Sequence, residues 1–180
     1  MNIMFIAPRV PKLEGAGYQA LAFRRLEFLA KRHTLSVLCF RYSDDVPEDF
    51  SVIEEMGVAV HTVRYRSVFS VIGIASAILA FKLPFQCSVF LSPYFKAKLK
   101  EKLRSTSPDY VYCSTIRLMP YLIGYKGKVI LEMVDSMGLN FSRRLSTARG
   151  YRKLVYWVEY LKVSRYERML ASLPEVNSFL

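Results

Sequence analysis

A loop of small residues follows the first apolar run of this chain and could bind an anion. Gly15, Ala16 and Gly17 follow the run Asn2–Ala7 and precede a helical pattern that begins near Tyr18. Glycines ahead of a helix let backbone N–H groups approach an anion, and the helix dipole favours negative charge at that point. The loop has neither the dinucleotide fingerprint nor a P-loop ending, so on this stretch alone backbone geometry is the favoured explanation.

Polar side chains follow three later apolar runs and could hydrogen-bond a phosphate or a sugar. Arg41 follows the second run, Ser114, Thr115 and Arg117 follow the fourth, and Asp135 and Ser136 follow the fifth. Each has a plain alternative as a turn or helix-capping residue, and capping by Asp135 or Ser136 is a strong competitor. The two histidines and three cysteines show no metal-ligand spacing, so we expect no metal site, and buried free thiols fit a reducing cytosol.

The stretches between these groups predict the elements that position them. Apolar or alternating runs predict strands at 2–7, 35–40, 58–63, 110–113 and 129–134, with a further one beginning near 175. Helical patterns lie between and after them, starting at Tyr18, before Gly57, at 68–81, at 92–104, from about Gly138 and at 151–171. This alternation predicts an α/β fold, a Rossmann-like doubly wound, mostly parallel sheet with flanking helices, in one domain. Ligands bind at the carboxyl ends of such strands, so the polar groups should converge there.

Two helices have inner faces that periodicity assigns. For the first helix we expect Tyr18, Ala22, Leu26 and Leu29 to face the core. For the last helix the apolar stripe includes Leu154, Val158 and Leu161. The apolar segment 68–81 is shorter than the roughly 20 residues that span a bilayer. It predicts a core helix or one that lies in the membrane interface.

The net charge of +11 indicates an anionic partner. One segment concentrates the basic residues Lys96, Lys98, Lys100, Lys102 and Arg104, and the stretch 143–168 has eight basic residues against two glutamates. A solvated helix face explains part of this surplus, and an anionic membrane surface explains its single sign. A nucleic-acid partner is the least favoured, because no recognisable nucleic-acid motif is present.

Several stretches, taken in order, resemble the N-terminal domain of a GT-B-fold glycosyltransferase of the retaining family-4 type. They are the opening MNIMFIAPRVP with its glycine loop, LAKRH at 29–33, SPDYVY at 107–112, VILEMVDS at 129–136 and RYERML at 165–170. Order and spacing carry the resemblance, which runs over almost the whole chain. It implies that residues 1–180 are one Rossmann-like half of the enzyme, the acceptor side, with the donor-binding half absent.

The resemblance also implies roles for individual residues. Gly15, Ala16 and Gly17 match the loop that approaches the donor diphosphate, and Asp135 matches a polar position beside the transferred sugar, although Val134 stands where many members have histidine. Acceptor or sugar contacts are implied for Ser114, Thr115, Arg117, Ser136 and Asn140. Glu159 and Glu167 have the Glu-x7-Glu spacing of the donor half, and we interpret them here as coincident surface charges.

The function expected from the resemblance is transfer of a sugar from a nucleotide-sugar donor to a glycan or lipid-linked acceptor. The resemblance implies a metal-independent reaction with no cofactor, and a chain that is inactive alone. It also implies a cytoplasmic location, or a peripheral one on the inner face of the cell membrane, with the apolar helix 68–81 and the Lys96–Arg104 segment as candidate docking surfaces. The alternative is a non-catalytic α/β module that docks on an anionic membrane or polysaccharide.

Overall fold

The computed structural model describes residues 1–69, 83–133, 136–173 and 176–179. Apart from its first two residues, the helix predicted over 68–81 lies outside the described residues, as do Val134 and Asp135.

Six parallel strands form one sheet in the order β3-β2-β1-β4-β5-β6. Their bounds are β1 Asn2–Ala7, β2 Thr34–Arg41, β3 Ala59–Arg64, β4 Tyr110–Cys113, β5 Lys128–Glu132 and β6 Val176–Phe179. This is the predicted Rossmann-like α/β fold. The strand order reverses between β1 and β4, which opens a crevice at the carboxyl edge of the sheet.

Helices cover both faces of the sheet. They are α1 Gly17–Ala30, α2 Pro47–Glu54, α3 Phe85–Ser88, α4 Pro93–Thr106, α5 Met137–Thr147 and α6 Tyr151–Ala171, with a 3₁₀ helix at Ile116–Tyr121. Local signals set several helix ends. The Ser92 hydroxyl accepts a hydrogen bond from the Phe95 N–H at the start of α4. Gly57 and Gly150 adopt φ of +76° and +58°. No helix of the described ranges has the length and apolar character needed to cross a bilayer.

The core has two layers, one on each face of the sheet. Met4, Ile6 and Leu38 pack with α4, the 3₁₀ helix and the second half of α6. Phe5 and Val37 pack on the opposite face with α1. Alternation along the strands sends neighbouring residues to opposite layers, and each such side chain stabilises the fold by about 1.5–3 kcal/mol when fully buried.

The predicted inner faces of two helices need correction. In α1, Gln19, Ala22, Phe23 and Leu26 are buried, whereas Tyr18 is 44% exposed. In α6 the predicted stripe was wrong, because Leu154 is 62% and Leu161 42% exposed. The buried side of α6 instead consists of Glu159, Lys162, Val163, Tyr166 and Leu170. Hydrophobic periodicity predicted that the more apolar face of α6 is buried. In the structure, the face that carries the two glutamates is turned inward instead.

Candidate functional site

A cavity of about 360 Å³ opens at the carboxyl edge of the sheet, where the strand order reverses. It brings together residues from the β1–α1 loop, the segment after β4, the end of β5 and the first turn of α5. The lining residues are Pro8, Gly17, Tyr18, Leu21, Ser114, Thr115, Ile116, Arg117, Glu132, Met133, Met137 and Asn140. The convergence predicted from topology therefore holds for Gly17 and the three polar residues after β4, but not for Arg41. Asn140, which the resemblance implied, also lines the cavity.

The glycine loop divides into a packed part and an open part. A Cβ on Gly15 would lie 2.8 Å from the Cβ of Gln19, so Gly15 permits close packing. The Gln19 amide is buried; it accepts the N–H of Ala16 at 3.2 Å and donates to the Val10 carbonyl at 2.9 Å. A Cβ on Gly17 would have no heavy atom within 4 Å. At this end of α1 the N–H groups of Gly17 and Tyr18 have no partner among the described residues, and both residues line the cavity.

The segment after β4 presents a guanidinium to the cavity. The Thr115 hydroxyl accepts the Arg117 N–H at 3.4 Å and caps the 3₁₀ helix. The Nη2 of Arg117 donates to Oε1 of Gln86 at 2.8 Å. Its Nε is buried and has no hydrogen-bond partner among the described residues. Arg117 thus lines the cavity with a guanidinium whose hydrogen-bonding capacity the described residues do not fully satisfy.

Tyr18 lies between two guanidinium groups. Burial raises the pKa of the Tyr18 phenol. The positive charges of Arg9 and Arg117 lower this pKa, but the effect of burial is larger. Arg9 in turn lies 4.2 Å from the ring centroid of Tyr42, and its Nη2 lies 2.7 Å from each carboxylate oxygen of Asp44. The phenol stays protonated near neutral pH and can donate a hydrogen bond at the mouth of the cavity.

Glu132 is a site residue that sequence reasoning missed. It is buried at the end of β5, and its Oε1 lies 2.9 Å from Nε of Arg25. Burial, together with the Glu132 charge, raises the pKa of the neighbouring Tyr112. A carboxylate inside the apolar run VILEMV was the available signal, because buried charges occur with a partner or a function. The partner, Arg25, lies on α1 and is 107 positions away in the sequence.

Ser136 acts as a helix cap rather than as a lining residue. Its hydroxyl accepts the Leu139 N–H at 3.1 Å and lies 3.1 Å from Oε2 of Glu167, to which it donates. Ser136 does not line the cavity, whereas Asn140, one turn further on, does. Asp135 lies outside the described residues.

Glu159 and Glu167 were predicted to be surface charges, and this was wrong. Glu159 is 2% exposed, and its carboxylate accepts the N–H groups of Phe85 at 2.9 Å and Gln86 at 3.0 Å. Glu167 accepts the Gly138 N–H at 3.3 Å. Each carboxylate therefore caps the start of another helix, where unpaired N–H groups favour a negative charge.

The basic residues of α4 take no part in this cavity. None of Lys96, Lys98, Lys100, Lys102 and Arg104 lines it. Lys98 forms an ion pair with Glu101 at 2.9 Å on the helix surface. Among the described residues no group of three His, Cys, Asp or Glu side chains is placed to hold a metal ion.

The cavity offers several donors and one carboxylate acceptor. The donors are the N–H groups of Gly17 and Tyr18, the Arg117 guanidinium and the Asn140 amide, and the acceptor is Glu132. This set suits a ligand that combines hydroxyl groups with negative charge, such as a phosphorylated sugar. No protein-family model matches the chain, and no curated protein matches it.

Proposed function

We propose that this chain is the acceptor-side domain of a glycosyltransferase that moves a sugar from a nucleotide-sugar to a glycan or a lipid-linked acceptor. The observation that carries the proposal is the polar cavity at the point where the strand order reverses. Ligands of doubly wound sheets bind at this point. A second α/β domain would hold the nucleotide, and the cavity described here would face it.

Each lining group has a role in this proposal. The N–H groups of Gly17 and Tyr18, with Arg117, would stabilise the negative charge that develops on the departing diphosphate. Glu132 and Asn140 would hydrogen-bond acceptor hydroxyls, and Ser114 and Thr115 lie beside them in the cavity wall. The bond between the sugar C1 and the diphosphate oxygen breaks, and the acceptor oxygen bonds to C1. The acceptor proton passes to the leaving diphosphate. Asp135 enters only through the resemblance.

The reading frame after the codon of Leu180 tests this proposal first. We expect it to encode a second α/β domain, and the joined protein should consume a nucleotide-sugar only when an acceptor is present. Arg117→Gln should lower the transfer rate by about 10²-fold, because it removes charge stabilisation at the diphosphate. Arg24→Gln, which changes an exposed arginine of α1, is the matched control. A stop codon directly after Leu180 would contradict the transferase.

A specific observation favours docking on an anionic membrane as a second function. Six large apolar side chains on α6 are exposed, and five of them form what we name the outer patch: Tyr151, Leu154, Val155, Trp157 and Leu161. Helices α5 and α6 and the turn between them also expose seven basic residues: Arg143, Arg144, Arg149, Arg152, Lys153, Arg165 and Arg168. The two acidic residues of these helices are turned inward as helix caps. An apolar patch within a basic surface is typical of an interfacial helix.

The turn between α5 and α6 adds a place for a lipid headgroup. A cavity of about 770 Å³ there is lined by three arginines and two tyrosines, Arg144, Arg149, Arg152, Tyr151 and Tyr156. Guanidinium groups pair with phosphate through two parallel hydrogen bonds. This surface differs from the α4 segment that the sequence suggested.

Co-sedimentation with vesicles tests the docking function. The chain should bind vesicles that contain phosphatidylglycerol and should not bind pure phosphatidylcholine. Trp157→Ser should weaken this binding, whereas Phe28→Ser, which changes an exposed aromatic residue of α1, should leave it unchanged. Equal binding to both kinds of vesicle would contradict the docking function and would not bear on the transferase proposal.

A further inference from the structure

A second cavity, of about 630 Å³, lies at the carboxyl ends of β2 and β3. It is on the same edge of the sheet as the first cavity, and its lining residues are Arg41, Tyr42, Ser43, Asp45, Thr62, Arg64, Tyr65 and Ser67. None of them lines the first cavity. We name it the β2–β3 cavity.

Two arginines stand side by side at this cavity. Arg41 and Arg64 are register partners at the ends of β2 and β3, and both are exposed. Neither forms an ion pair with any residue that the structure describes. Arg41 lies 5.4 Å from the ring centroid of Phe50. Like charges directly across neighbouring strands repel each other, so an anion between the two guanidinium groups would stabilise the pair. Such a locally unfavourable arrangement at a ligand-binding edge indicates a binding function.

The acidic group in the wall does not cancel this charge. The Asp45 carboxylate is fully buried and lies 3.1 Å from Nζ of Lys12 and 3.7 Å from Nη2 of Arg9. It also accepts the Tyr42 N–H at 2.7 Å. Lys12 and Arg9 also pair with Asp49 at 2.6 Å and Asp44 at 2.7 Å, so three carboxylates share these two cations. With Arg41 and Arg64 included, four cations face three carboxylates, and a net positive charge remains for a ligand.

Two tyrosine rings also line this cavity. Tyr42 and Tyr65 are stacked with centroids 4.4 Å apart and planes at 16°. Burial raises the pKa of Tyr42, so its phenol stays neutral and adds no negative charge to the cavity. Tyr65 covers one face of the Tyr42 ring and the Arg9 guanidinium covers the other, so this ring presents its edge to the cavity. The guanidinium forks of the two arginines suit an oxyanion.

We propose that the β2–β3 cavity binds an oxyanion, a phosphate or a carboxylate, carried on a sugar ring. The two arginines hold the oxyanion, and the edge of the Tyr42 ring borders the sugar that carries it. Arg9 connects this cavity to the first one. Its guanidinium lies over the ring of Tyr42, and its positive charge lowers the pKa of Tyr18. Only the identification of this ligand as the glycosyl acceptor rests on the proposed function. In that case the anionic group of the acceptor lies in the β2–β3 cavity and its reacting hydroxyl lies in the first cavity.

Calorimetric titration of the chain with three probes tests the inference. Glucose 1-phosphate and glucuronate should bind at least about tenfold more tightly than glucose, since charge-assisted hydrogen bonds act only on the anions. Tighter binding of glucose 1-phosphate would identify a phosphate site, and tighter binding of glucuronate a carboxylate site. Equal binding of all three probes would overturn the proposal.

Variants locate the binding. Arg41→Gln and Arg64→Gln should each weaken binding of the preferred anion by about tenfold, and Arg41→Lys by less, because it keeps the charge but loses the fork. Arg24→Gln should leave the affinity unchanged, and circular dichroism checks that every variant is folded. If Arg117→Gln abolishes binding while the Arg41 and Arg64 variants do not, the anion occupies the first cavity and the proposal fails. The titration uses no nucleotide-sugar and measures no sugar transfer. A failed transferase assay therefore does not affect its outcome.

Discussion

The carboxylate of Glu159 and the guanidinium of Arg117 are joined through one residue, Gln86. Glu159 Oε1 accepts the backbone N–H of Gln86 at 3.0 Å, and the side-chain oxygen of Gln86 accepts Nη2 of Arg117 at 2.8 Å. A buried glutamate on α6 therefore positions a cation in the wall of the first cavity. Glu159 is a positioning residue, since it does not itself line that cavity.

Replacing Glu159 by glutamine should destabilise the chain. The amide can accept only one of the two N–H bonds, so we expect the free energy of unfolding to fall by about 1–3 kcal/mol. Urea denaturation measures this. Glu101→Gln, which removes an exposed carboxylate paired with Lys98, should leave the midpoint unchanged. Identical midpoints for the two variants would contradict the capping role.

The two glycines of the β1–α1 loop should respond oppositely to substitution. Gly15→Ala places a Cβ 2.8 Å from that of Gln19 and should lower the free energy of unfolding by about 1–3 kcal/mol. Gly17→Ala meets open space and should leave the melting temperature unchanged or higher. Gly17→Leu should also fold, but it should obstruct ligands of the first cavity. Equal melting temperatures for Gly15→Ala and Gly17→Ala would show that the loop is not packed as described.

The three cysteines should be unreactive in the native protein. Cys39, Cys87 and Cys113 have no exposed surface, and burial raises the pKa of each, that of Cys113 to about 12. The thiolate is the reacting species, so Ellman's reagent should label none of them at pH 8 and all three after denaturation. Rapid labelling of even one thiol in the folded protein would contradict its burial in the core.

His61 should make stability depend on pH. Burial lowers the pKa of His61, and the positive charges of Lys102 and Lys98 lower it further. The unfolded chain then binds more protons than the folded one, so stability falls as pH drops below about 6.5 towards the lower folded value. His61→Gln should flatten this part of the profile of urea midpoints. Lys98→Gln combined with Lys102→Gln should reduce the slope, and unchanged profiles would contradict the shift.

Local signals and topology explain what could be predicted from the sequence. Ser92 and Pro93 fix the start of α4 by their own chemistry, and Gly57 needs a positive φ that favours glycine. Alternation of strands and helices predicted the parallel sheet. From it followed the meeting of Gly17 and Arg117 at one edge, because carboxyl ends of parallel strands share an edge.

Long-range pairing explains what could not be predicted. Glu132 and Arg25 are 107 positions apart, so nothing local reveals that they pair. The inner face of α6 was wrong for the same reason. Glu159 turns inward because the N–H groups of α3 need an acceptor there, and hydrophobic periodicity contains no information about that need.

Helix α6 makes the two walls of the first cavity move together. Glu159 and Glu167 are eight positions apart on this helix, so their carboxylates are fixed about 12 Å apart along its axis. One is bound to the element that holds Arg117, and the other to the first turn of α5, which contributes Met137 and Asn140. A shift of α6 would therefore displace both walls together and preserve the distance between them, so a contact at the outer patch would move the cavity walls as a unit.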